Sequence, residues 1–115
     1  MDMKNLKNKS KKSYNLLLII IFAFAFFLRV IFLQSNALTF GYDQARDALI
    51  SRQILSGDLK IQGPPSSQPG LFHGVLYYYF LAPAYYFGDG SPLFTAYYLA
   101  FFNSLTVFIV FFLAK

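Results

Sequence analysis

The sequence predicts an all-α, polytopic membrane protein with about three transmembrane helices and a short amphipathic helix in the first extracytoplasmic loop. Three observations predict it. The chain has 115 residues, 57% of them hydrophobic and only 13% charged, and a soluble domain of that size has too much surface to hide so much apolar area. The apolar residues gather into three long runs, residues 14–33, 71–87 and 92–114. A lysine cluster stands directly before the first run, as it does where a chain keeps its N-terminus beside anionic lipid in the cytoplasm.

Residues 1–13 are the basic cytoplasmic segment. Lys4, Lys7, Lys9, Lys11 and Lys12 against Asp2 give +4 of the formal net charge of +5. No basic face or base-stacking platform follows elsewhere, so the charge points to membrane and not to nucleic acid. Residues 14–33 are the first transmembrane helix. Twenty residues rise about 30 Å, the thickness of the hydrocarbon core. Ser35-Asn36-Ala37 offers small residues where a signal peptidase reads. However, the run is longer than the usual ~7–15 residues of a cleaved signal and contains Arg29, so an uncleaved anchor is expected.

Residues 34–70 form the first extracytoplasmic loop, where Asp43, Asp47 and Asp58 balance Arg46, Arg52 and Lys60. Residues 43–55 read as a short helix, with Asp43 able to cap its start and Gly57 just past its end. Gly63-Pro64-Pro65-Ser66-Ser67-Gln68-Pro69-Gly70 excludes regular helix, because prolines remove donors and glycines break the run. Residues 71–87 are the second transmembrane helix, barely long enough to span and expected to kink at Pro83. Gly88-Asp89-Gly90-Ser91 is a tight turn, and Pro92 suits the first position of a third transmembrane helix over residues 92–114. From a cytoplasmic N-terminus, three crossings put the turn inside and Lys115 outside. The lack of a basic residue in that turn and the outward Lys115 both run against the positive-inside rule. The chain ends on an apolar run, which is expected of a piece of a longer multispanning protein. With no cysteine, disulfides and thiolate sites are not at issue.

The ionisable groups concentrate in the outer loop. Asp43 and Asp47, four apart, share a helix face, and Arg46 offsets their repulsion. One reading is a helix cap plus a solvated, salt-bridged face. The other is a carboxylate at the membrane surface serving as a general base or metal ligand. Arg29 is costly in hydrocarbon, so it snorkels outward or pairs with Asp43, Asp47 or a lipid phosphate. His73, the only histidine, reads by itself as a polar anchor, Tyr77 and the other tyrosines as boundary anchors, and Asn103 as a helix–helix hydrogen-bonding residue.

Taken together, the pattern comprises Arg29, Gly41-Tyr42-Asp43-Gln44-Ala45-Arg46-Asp47, Gly57-Asp58, Gly63-Pro64-Pro65, Gly70-Leu71-Phe72-His73-Gly74-Val75-Leu76-Tyr77-Tyr78-Tyr79 and Leu81-Ala82-Pro83. It resembles the N-terminal part of the multispanning GT-C-type glycosyltransferases. The nearest look is to the dolichyl-phosphate-mannose–protein mannosyltransferase-like group, including the RgtA/B/C/D-like enzymes. The similarity covers roughly residues 29–93, with the Asp43 neighbourhood and residues 70–79 distinctive. The resemblance implies a hexosyl- or pentosyltransferase of the cell membrane. Its donor would be a sugar on a polyprenyl phosphate, and its acceptor a hydroxyl of a glycan, lipid or protein outside the cytoplasm. It implies Asp43 as the base, with Arg29, Arg46, Asp47, His73 and Tyr77 as candidate substrate-binding residues. The departing polyprenyl phosphate needs positive charge, from arginine, lysine or a divalent metal ion. Arg29, Arg46 and Arg52 are the local candidates. The competing expectation is a small non-catalytic membrane subunit that assembles through its transmembrane helices.

Overall fold

A computed structural model describes residues 3–33 and 38–114. The chain divides into two units, Met1–Asn36 with Leu99–Lys115, and Ala37–Tyr98. The Ser35-Asn36-Ala37 site and Lys115 lie outside the described residues.

The first unit is built from apolar helix. Helix α1, Met3–Val30, takes in the lysine-rich segment and stops three residues before the expected end, passing into a turn at residues 31–33. Its window Ser13–Val30 has mean hydropathy 2.1 and is 0% buried. Helix α4, Pro92–Ser104, enters this unit with its later residues, and α5, Thr106–Leu113, completes it. Pro92 opens α4 as expected, and the Ser91 hydroxyl accepts a hydrogen bond from the Phe94 N–H at 3.3 Å. The expected single helix over residues 92–114 is interrupted at Leu105. Ser104 donates to the Ala100 carbonyl at 2.8 Å and Thr106 to the Asn103 carbonyl at 2.6 Å. Such hydroxyls compete with the helix ladder and bend it. Residues Pro92–Leu113 still form a stretch with mean hydropathy 1.9. Among the described residues, two helical stretches are thus long and apolar enough to cross a membrane.

The two stretches meet through phenylalanines. Phe26 meets Phe101 with ring centroids 6.3 Å apart, and Phe22 meets Phe101 at 5.9 Å and Phe108 at 5.0 Å. Moving back along α1 moves forward along α4 and α5, so the pair is antiparallel.

The second unit is the short helix and its neighbours. Helix α2, Tyr42–Leu55, agrees with the expected element to one residue. Its start is capped differently. Gly41 is the N-cap, and its N–H is met at 3.0 Å by the Gln44 side-chain oxygen, while Asp43 sits inside the first turn. The C-terminus follows the expected signal. Gly57 adopts φ +96°, the Gly57 N–H bonds the Ile54 carbonyl and the Asp58 N–H bonds the Gln53 carbonyl, both at 3.0 Å. A glycine takes this left-handed position without steric cost.

Helix α3, Leu76–Phe87, runs through Pro83 and has only 12 residues. Val75 is the N-cap of α3, and the first four residues of the expected second span belong instead to a hairpin. There the His73 N–H bonds the Pro64 carbonyl at 2.8 Å, the Ser66 N–H bonds the Leu71 carbonyl at 3.0 Å, and Pro65 bridges Phe72 in antiparallel fashion. The arms approach so closely that a Cβ at Gly63 would overlap the His73 carbonyl oxygen. Helix α2 packs on α3 through a core of Ile54, Tyr78 and Ala82, flanked by Ile50, Val75 and Tyr79.

Candidate functional site

The site begins with the register of α2. Residues 47, 51 and 54 fall on one face, and all three are buried. Ile54 supplies the apolar contact to α3. Ser51 is fully buried and donates to the Tyr78 carbonyl at 3.3 Å. Asp47, 8% exposed, is the charged member of this face. A buried carboxylate needs a donor, and the preceding residue provides one. The Arg46 Nη2 and Nε donate to the Asp47 Oδ1 at 2.9 and 3.2 Å, and Nη1 donates to the Asp43 Oδ1 at 2.8 Å.

One guanidinium therefore ties two carboxylates in different surroundings. The Asp43 side chain is 72% exposed, the Asp47 side chain 12%. Burial acts against the charge on Arg46, but the hydrogen bond and charge of Asp47, followed by Tyr78 and the Asp43 charge, outweigh it and move its pKa upward. The expected solvated face accordingly holds for Asp43 and fails for Asp47. Asp43 is left as the carboxylate that a solute can reach.

A pocket of about 370 Å3 opens beside this cluster, between Arg46 and Ile50 on α2, the strap from Leu59 to Gly63, and Phe72 and Tyr78. The Tyr78 hydroxyl is buried next to the Arg46 guanidinium without a hydrogen bond of good geometry. Tyr79 holds the strap by donating its hydroxyl to the Lys60 carbonyl at 2.9 Å, and the Lys60 ammonium pairs with Asp58. A second, almost wholly apolar groove of about 440 Å3 is lined by Leu76, Tyr77, Tyr79 and Phe80.

The structure thus brings Asp43, Arg46 and Asp47 together. His73 is exposed on the hairpin, and Tyr77 lies on the apolar groove. Arg29 belongs to the other unit, where its Nη1 donates to the Ala25 carbonyl of its own helix at 2.9 Å. Among the described residues no three of His, Cys, Asp and Glu converge as metal ligands. Sequence reasoning missed Ser51 and Tyr78. The available signal was the 47–51–54 spacing, but with one acid and one hydroxyl in it that face does not read as apolar.

Comparison of the chain with protein-family models, with curated proteins and with solved structures finds no match.

Proposed function

We propose that this chain is the N-terminal portion of a membrane glycosyltransferase that moves a sugar from a polyprenyl-phosphate donor to a hydroxyl outside the cytoplasm, with Asp43 as general base. The observation that carries the proposal is the division of labour on α2. Asp47 is buried and satisfied by Arg46, whereas Asp43 is exposed on the first turn with its second oxygen available to an acceptor hydroxyl. A hydroxyl attacks a glycosidic carbon only as its proton leaves, and a positioned carboxylate can take it. As the hydroxyl oxygen bonds to the anomeric carbon, the bond to the phosphate oxygen breaks and the proton passes to Asp43.

Two further features support the reading. A polyprenyl donor stays in the bilayer, so its reaction centre belongs at the membrane surface, and two stretches of this chain have the length and apolarity to hold it there. The departing phosphate needs positive charge, and Arg46 stands next to the base with two of its five N–H groups outside the bonds to Asp43 and Asp47. The sequence pattern across residues 29–93 points to the same chemistry by resemblance. Localisation in the cell membrane, with a cytoplasmic N-terminus, follows from the lysine cluster.

The experiment uses the protein in its native membrane. Vesicles are given a polyprenyl-phosphate-linked radiolabelled hexose or pentose, and transfer to endogenous acceptor is counted. Asp43→Asn removes the base without changing shape and should lower transfer by a factor on the order of 10²–10⁴ at unchanged protein level. Wild-type rates in Asp43→Asn would refute the role of Asp43. The second reading is a non-catalytic subunit that assembles through its helices. It draws on the apolar surface of α1, where Phe24 is 61% and Leu16 59% exposed. A defined complex that persists in mild detergent, with no transfer activity, would favour it.

A further inference from the structure

We infer that the chain crosses the membrane twice, not three times, and that residues 38–91 stay together on the outer side with α3 resting on the outer leaflet. The inference builds on the membrane reading above and changes its topology.

Direction is the first argument. The contacts of Phe26 with Phe101 and of Phe22 with Phe108 make α1 antiparallel to the later stretch. If α1 runs outward, residues 92–113 run inward, and everything between them has no net crossing. Length is the second. The 12 residues of α3 rise about 18 Å, well short of a hydrocarbon core of about 30 Å.

Contacts inside the second unit agree. The turn after α3 and the polar helix α2 touch. A Cβ placed on Gly90 would collide with Arg52 Nη2 and stand 2.9 Å from its Cζ. Helix α2 carries Asp43, Gln44, Arg46, Asp47, Arg52 and Gln53 in 14 residues, so it is no membrane span. A guanidinium on that helix cannot meet a turn on the far side of the bilayer. Charge agrees as well. Two crossings return Lys115 to the side of the five N-terminal lysines and keep Asp89 outside, which removes both departures from the positive-inside rule.

The bilayer is also the occupant that suits the exposed face of α3. Leu76 is 77%, Tyr86 68% and Phe87 75% exposed, and the apolar groove starts at Leu76. Only four residues separate the end of this helix from Pro92, which starts the returning span, so the helix is tethered at the membrane surface. Tyrosines beside apolar residues are the composition of an interfacial segment.

The chain has no cysteine, so single cysteines report cleanly. Ser66→Cys, Ser91→Cys and Lys115→Cys are made in the full chain and treated in intact cells with an impermeant maleimide, before and after permeabilisation. Asp89→Cys backs up Ser91→Cys, which alters a helix cap. Two crossings predict labelling of positions 66, 91 and 89 from outside, and of 115 only after permeabilisation. Protection of 91 and 89 with labelling of 115 would restore three crossings and overturn the inference. Release of the protein by alkaline carbonate would instead sink the membrane reading itself. For the resting face, Leu76→Trp is reconstituted in phosphatidylcholine vesicles brominated near the headgroup or deep in the chain. Stronger quenching by the shallow bromines is expected. Equal or no quenching would overturn the docking of α3.

Discussion

The two units differ in what they enclose and in what they leave exposed. In the second, α2 and α3 enclose Asp47, Ser51 and Tyr78 along with Ile54 and Ala82, and each enclosed polar group is answered by a neighbour except the Tyr78 hydroxyl. In the first, α1 presents Phe24, Leu16 and Ile19 at 56–61% exposure, and the contact with the returning stretch is a short row of phenylalanine rings. A water-side unit must satisfy its buried polar groups. A helix surrounded by lipid need only be apolar, because its own backbone hydrogen bonds are internal. The difference predicts that substitutions cost more in the second unit than on the exposed face of α1.

The comparison can be broken at graded points. The largest effect is expected at Gly63. In Gly63→Val the new side chain overlaps the His73 carbonyl, which cannot retreat without losing the Pro64–His73 hydrogen bond. Overpacking costs about 1–3 kcal/mol or more. Residues 63–74 should become cleavable by added protease in the detergent-solubilised protein, and wild-type resistance would mean the hairpin is not closed as described. Next comes Asp47→Ala, which strips the half-buried Arg46 of two charge-assisted bonds and should cost about 1.5–3 kcal/mol in thermal unfolding. Asp43→Ala removes an exposed partner of the same arginine and should stay within about 0.5 kcal/mol. Equal losses at the two positions would contradict the split between a structural and a reactive carboxylate. Smallest of all is Leu16→Ala on α1, expected to leave unfolding of the second unit unchanged and membrane insertion intact.

Much of this was legible in local signals. The short helix, its glycine C-terminus and the proline start of α4 are encoded within a few residues, through capping and φ preference. The apolar runs of the first and last stretches are strong enough to be read from hydropathy. The misreadings came from interactions between distant residues. Residues 71–74 look like the start of a span because they adjoin an apolar run, but the His73–Pro64 bond draws them into a hairpin. An apolar run does not reveal whether its cover is lipid or its own chain. Asp47 looked solvated because its burial depends on α3, 31 residues away at Tyr78. The direction of the last span could not be read, since hydropathy carries no sign.

That direction is also where the account is most directly tested. Phe22→Cys with Phe108→Cys and Phe26→Cys with Phe108→Cys are built in the cysteine-free chain and oxidised in native membranes. Antiparallel helices place Phe22 beside Phe108, at 5.0 Å between rings, and put Phe26 beside Phe101, about 10 Å along the axis from Phe108. The 22–108 pair should cross-link within the chain more readily than the 26–108 pair. Efficient cross-linking of 26 to 108 with none at 22 to 108 would mean parallel spans and an odd number of crossings. The second unit would then be divided between the two sides of the membrane, with Asp43 outside and Asp89 inside.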